Sequence, residues 1–136
     1  MKFNLIYHIY APKGNHTWKD NIDYLRQCIH IFNNKKIVNI ATGEGLATPE
    51  EIRKYFNDPT IEFIETPNDP KLGEVAVFKK LLERVYSLDT NEATFYAHAK
   101  GTSYDLKCSR EIRMWYEHMY KYNLQNPKEI EGILNK

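Results

Sequence analysis

The chain has 136 residues, 42% of them hydrophobic, which suits one domain around a single core and is too short for two. Nineteen lysines and arginines against 18 acidic residues leave a net charge of +1, so neither nucleic acid nor an anionic membrane is indicated as a partner, and any basic site must be local. Cys28 and Cys108 lack CxxC or zinc-type spacing and read as reduced thiols. The opening run MKFNLIYHIYAPKG, interrupted by Asn4 and His8, falls short of the ~20 residues of a membrane span and carries no secretory pattern, so a cytoplasmic location is expected.

In chain order, residues 3–11 (FNLIYHIYA) are β-branched and aromatic on both alternating faces, the pattern of a strand covered on both sides, and Pro12-Lys13-Gly14-Asn15 stops it. Thr17 with Asp20 three residues on predicts a capping box, followed by a helix with Ile22, Leu25, Ile29 and Phe32 on one face. Residues 36–42 (KIVNIAT) form a second apolar run, closed by Gly43-Glu44-Gly45. Thr48-Pro49-Glu50-Glu51 combines a cap residue, a proline at the first helical position and a glutamate at the third, predicting a helix with Ile52, Tyr55 and Phe56 inward. Residues 60–65 (TIEFIE) alternate with period two, as in a strand nearer a sheet edge with one wet face.

After the Pro67-Asn68-Asp69-Pro70 loop, Val75, Phe78, Leu81, Leu82 and Val85 predict the inner side of a third helix. FYAHAKG is the fourth strand. A helix from about Ser109 follows, with Ile112, Trp115, Tyr116, Met119 and Tyr122 as its stripe, and Asn126-Pro127-Lys128-Glu129 opens a short last one.

Strands alternating with helices imply a Rossmann-like, three-layer α/β domain over 1–136, with a mostly parallel four-stranded sheet. A doubly wound order of 3-2-1-4 makes the first and fourth strands neighbours, and ligands bind beyond the carboxyl ends of strands at such a switch point. The loops meeting there are Tyr10-Ala11-Pro12-Lys13-Gly14 and the stretch from His98 to Ser103.

His98 and Lys100 are two apart along a strand and share a face. Lysine supplies a point charge for phosphate, and Gly101 permits close backbone approach to an anion. Lys13 and Gly14 offer a second arm, and a diphosphate suits this set. The plainer alternative, a solvated lysine followed by a turn glycine, fits the same four residues HAKG. His8 in mid-strand reads as a hydrogen-bonded core histidine. His16, His30 and His118 lack metal-ligand spacing, so no metal site is expected from the protein's own side chains. Glu74, opening the third helix, complements its dipole, and Trp115 with Met119 reads as core. No GxGxxG follows the first strand, and GxxxxGK[ST], GxSxG, a recognisable Cys-His set and a basic-aromatic RNA motif are all absent. Asp105 stands without a second aspartate in DxD spacing.

The positions Tyr96, His98, Lys100 and Gly101, followed by Trp115, Met119, Tyr120 and Tyr122, resemble the YLHTKG-like stretch and WR..M.YF-like helix of a bacterial and viral glycosyltransferase-like family of the GT-A, nucleotide-diphospho-sugar fold. Glu74 with Phe78 and Leu81 resembles that family's E...L..L segment, and the likeness runs from Phe3 to about Leu134. Ala99 replaces the family's frequent threonine, and Tyr116 its frequent arginine.

The resemblance is to the N-terminal half of that fold and implies a domain without the C-terminal acceptor half. It implies a nucleoside diphosphate sugar as donor, with an unknown acceptor. Lys100 and the Gly101 backbone would offset phosphate charge, His98 would orient the donor, and Tyr10, Ala11 and Pro12 would contact base or ribose. Glu74 and Asp105 are the nearby acids. A donor of this kind brings Mn2+ or Mg2+ with its phosphates, held by one carboxylate at most. A non-catalytic nucleotide- or protein-binding module of the same fold, and more distantly a flavodoxin-like domain, are the other readings. The full fold pairs a further strand beside the fourth, so the fourth-strand edge is expected to be covered by the last helix or by a second copy in a homodimer.

Overall fold

The computed structural model of the chain describes residues 1–99, 102 and 109–136, the side chains of Ser109 and Tyr116 aside. Its elements are β1 (Lys2–Ile9), α1 (Thr17–Cys28), β2 (Lys36–Thr42), α2 (Pro49–Phe56), β3 (Glu62–Pro67), α3 (Val75–Val85), β4 (Glu92–His98), α4 (Ser109–Glu117) and α5 (Pro127–Leu134). A 3-10 turn at Ile29–Ile31 prolongs α1, and a π turn at His118–Tyr122 prolongs α4. The strands form one all-parallel sheet in the order β3-β2-β1-β4, the doubly wound arrangement expected.

β1 is one of the two inner strands, between β2 and β4, and everything in it from Asn4 to Ile9 is buried. One face of the sheet carries Leu5, Tyr7 and Ile9 of β1 with Val38, Ile40 and Ala97. They pack with Ile22 and Leu25 of α1, Ile52 and Phe56 of α2, and Ile112 of α4. The other face carries Ile6 and Ile37, covered by Val77, Leu81 and Val85 of α3, with Ile64 and Tyr96 alongside. Three helices thus cover the first face and one helix the second. Toward the carboxyl end of that second face the apolar residues give way to His8 and Asn39, both buried, and to Thr66 and His98, both partly exposed.

The helix starts differ in how they are made. Thr48 accepts from the Glu51 amide at 3.2 Å while the Glu51 carboxylate accepts from the Thr48 amide at 2.8 Å, the reciprocal box foreseen from the sequence. At α1 the expected box is absent. Thr17 is already helical, and the Asn15 side chain accepts from its amide at 2.7 Å. Asn15 is thereby the residue that turns the chain from β1 into α1. Asn57 closes α2 in the left-handed conformation, φ +48°, which asparagine tolerates better than most residues.

Two predicted stripes are displaced. Along α3 the sheet buries Val77, Leu81 and Val85, whereas Val75, Phe78 and Leu82 stay exposed. Along α4 the buried side chains are Ile112, Tyr120 and Leu124, with Met119 half-buried, while Trp115 and Tyr122 are exposed. Eight residues on a 3.6-residue repeat overshoot two turns by about 80°. The wider π turn absorbs that excess and brings Tyr120 inward. There it donates to Asn21 Oδ1 at 2.9 Å and accepts from the buried Tyr7 hydroxyl. Burial pushes both tyrosine pKa values up, so the two hydroxyls stay protonated.

Candidate functional site

The switch point lies between β1 and β4, and the loops beyond the two strands do meet there. The Ala99 amide donates to the His8 carbonyl at 3.0 Å, and the Asn15 side chain donates to the Thr102 carbonyl at 3.0 Å. Thr102 is itself buried and donates its hydroxyl to the Ala99 carbonyl at 3.3 Å. Asn15 therefore does two things at once, starting α1 and joining the loop after β1 to the loop after β4.

His8 lies opposite Asn39 on β2 and opposite His98 on β4, so the three side chains share one rung of the sheet. Asn39 is fully buried and donates to His8 Nδ1 at 3.0 Å and to the Thr66 hydroxyl at 3.0 Å. Because the amide nitrogen can only donate, His8 Nδ1 is the acceptor and the ring proton sits on Nε2. Burial lowers the His8 pKa to about 4; the Glu74 carboxylate opposes this and the neighbouring His98 adds to it. His8 is thus a neutral imidazole with a fixed tautomer. It is the hydrogen-bonded core histidine read from the sequence, and it borders the candidate site.

On the β4 side of that rung, His98 Nε2 stands 3.7 Å from Glu74 Oε1 at the start of α3, both partly exposed. Tyr96, two residues back on the same face, packs against Phe78 with ring centroids 4.8 Å apart and the rings tilted by 56°. Burial, helped by the Glu74 charge, raises its hydroxyl to about 12. On its other flank His98 lines an open cavity of about 460 Å3 with Glu111, Met114, Trp115, His118 and Met119. That volume falls in the range of small-molecule sites, ~300–1,000 Å3. One histidine therefore links the polar row Glu74, His8, Asn39 and Thr66 to a cavity with an apolar wall.

The residues expected from the loop after β1 are differently disposed. Tyr10 is half-buried; Ala11 is fully buried and its carbonyl accepts from the Ala47 amide at 2.7 Å. Pro12 bridges to Leu46, and the Lys13 amide donates to the Gly45 carbonyl at 2.8 Å, so this loop is laced to the loop after β2. Gly14, at φ +79°, turns the chain there as only glycine does without strain. A second cavity, of about 290 Å3, opens beside Pro12, Lys13, Gly14 and Glu51. Lys13 is exposed on its rim. Lys100, Gly101 and Asp105 lie outside the described residues.

Sequence reading missed Asn39, Thr66 and Glu111, and it placed Trp115 in the core. The signal for Asn39 was present: an asparagine inside the apolar run KIVNIAT needs a partner when buried, and a mid-strand histidine on the neighbouring strand is a fitting one. Among the described residues no group of three or more His, Cys, Asp or Glu side chains could hold a metal ion. No described helix is long and apolar enough to cross a membrane. Cys28 is half-buried, with burial raising its thiol to about 11, which leaves it unreactive near neutral pH. No protein-family model, no curated protein and no solved structure matches the chain.

Proposed function

We propose that this chain is a glycosyltransferase-like domain that binds a nucleoside diphosphate sugar beyond the carboxyl ends of β1 and β4. The observation that carries the reading is His98 at the switch point, with Glu74 at 3.7 Å on one side and the cavity on the other. A carboxylate accepts from sugar or ribose hydroxyls and repels phosphate. The hydroxyl-bearing part of the ligand therefore belongs beside Glu74, and the diphosphate belongs toward Lys13, with Lys100 as the second cation the resemblance implies for it. The imidazole of His98 orients the ligand between them.

Glu74 supplies one carboxylate, short of a protein cage for a divalent ion, so Mn2+ or Mg2+ would arrive coordinated mainly by the ligand's phosphates and neutralise their charge. For group transfer to an acceptor, Glu111 in the cavity wall joins Glu74 as an acid near His98. Binding without transfer, by a nucleotide- or protein-binding module, is the second reading. Met114 and Trp115, 49% and 43% exposed at the cavity, favour it.

The test is a thermal-shift titration of UDP, GDP and CMP sugars, with and without Mn2+ or Mg2+, in wild type, His98→Ala and Lys100→Ala. A ligand at 100 times its Kd stabilises by about 2.7 kcal/mol, and both variants are expected to weaken binding at least ~10-fold. No shift with any nucleotide sugar, or an undiminished one in His98→Ala, overturns the assignment. Product analysis with the ligand that binds then separates transferase from binder.

A further inference from the structure

The two edges of the sheet are built differently. β3 carries Glu62 and Glu65, paired with Arg84 and Arg53, and ends at Pro67, so charge and proline blunt it against another strand. β4, with the sequence EATFYAH, has no lysine, arginine or proline, and no described strand pairs with its outer side. Exposed apolar side chains flank this edge on both faces of the sheet. Phe78 and Leu82 of α3 stand on one face, and Met114 and Trp115 of α4 border the cavity at His98. The last helix is not buried over this edge: α5 has no buried residue, and its Glu131 binds the Met1 amine at 3.1 Å.

We infer that β4 is a dimer seam, where a second copy of this chain adds its own β4 antiparallel about a two-fold axis at Phe95. The Lys2 amide donates to the Asn91 carbonyl and the Ala99 amide to the His8 carbonyl, so odd-numbered residues of β4 turn their backbone groups toward β1. Those of the even-numbered residues turn outward. A two-fold axis at Phe95 sets even against even: Thr94 meets the second copy's Tyr96 as a hydrogen-bonded pair, and Phe95 meets itself as a non-hydrogen-bonded one.

This register pairs all of 92–98, and it places Glu92, whose carboxylate also accepts from Asn4 at 3.2 Å and lies 3.7 Å from Lys2 Nζ in its own chain, opposite the second copy's His98 at both ends of the seam. Shifting the axis by one residue loses that match and shortens the overlap. The axis is perpendicular to the sheet, so each α3 lies on the same side as its mate and the exposed Phe78 and Leu82 of both copies line one groove over the junction. The product is a continuous eight-stranded sheet with the two β3 strands as its guarded ends.

Light scattering coupled to size exclusion on the full chain is expected to give twice the 16.1 kDa monomer mass. Thr94→Pro removes an outward amide at an edge position where proline fits, and it is expected to give a monomer with an unchanged far-ultraviolet spectrum. Thr94→Lys gives the same readout should the proline variant unfold. The register is read by oxidation in a Cys28→Ser, Cys108→Ser background. Phe95→Cys is expected to form a covalent dimer, its Cα atoms about 4.5 Å apart, whereas Thr94→Cys, a diagonal pair at roughly 7–8 Å, is not. A monomeric wild type, a dimer indifferent to both Thr94 variants, or cross-linking at Thr94 and not at Phe95 overturns the inference.

Discussion

His8 makes folding sensitive to pH in a calculable way. Its imidazole is 5% exposed and has its pKa lowered to about 4 from an ordinary 6.5, chiefly by burial. Below pH ~6.5 the unfolded chain takes up a proton that the folded chain refuses until about pH 4, so the unfolded state gains as pH falls through that window. The stability that neutral His8 contributes is fully present above 6.5 and lost on descending to about 4. A difference of about 2.5 pKa units amounts to roughly 3 kcal/mol. For a chain of this length that is on the order of 10 °C in Tm.

His8→Asn keeps an acceptor for the Asn39 amide and removes the titration. Urea unfolding of both proteins across this pH range isolates the histidine, since the carboxylates that also titrate there cancel in the difference. Wild type is expected to lose about 3 kcal/mol more than the variant, with the gap opening between about pH 6.5 and 4. Parallel stability curves refute the reasoning. So does an NMR titration placing the folded His8 imidazole near 6.5.

Tyr120→Phe strips the hydroxyl that donates to Asn21 and accepts from Tyr7, leaving buried polar atoms without their partner. A loss of about 1–3 kcal/mol by urea unfolding is expected, and a loss below ~0.5 contradicts the network. Leu81→Ala, at a fully buried position under α3, is expected to cost about 2–5 kcal/mol. Leu82→Ala, one residue away and 42% exposed, is expected to cost the monomer less than ~1 kcal/mol, and equal costs would contradict the orientation of the helix.

The strand order was legible because alternation of strand and helix, with every crossover right-handed, leaves few topologies, and β1 announced its inner place by being apolar on both faces. The single wet face expected of β3 is not found: Glu62 and Glu65 are three residues apart and so lie on opposite faces, and the strand is exposed at both. Helix orientation was not legible either. The segment Val75–Val85 carries two apolar series, Val75, Phe78, Leu82 and Val77, Leu81, Val85, both at helical spacing, and only the angle at which the crossover lays the helix on the sheet decides between them.

At the site, His98 was singled out by local chemistry and Glu74 through the family resemblance, and the fold brings the two together. His8 was read as a hydrogen-bonded core histidine, but its pairing with Asn39 was not legible, because a shared rung depends on register, which is set between segments 31 residues apart.

The π turn at His118–Tyr122 has a consequence for how this protein tolerates change in length. It holds surplus residue in a helix that would otherwise run as a regular coil, and it sets the rotational phase of everything after it. Removing one residue between Glu117 and Asn123 would let the segment relax into an ordinary helix without breaking it. With that residue taken from before Tyr120, the seven residues left after Ile112 turn through about 700° against two full turns of 720°, so later side chains would keep their phase to within about 20° and Tyr120 would still face Tyr7. A single-residue deletion there leaves the same side chains in the core, whereas the same deletion in a regular stretch of helix would rotate everything after it by about 100°.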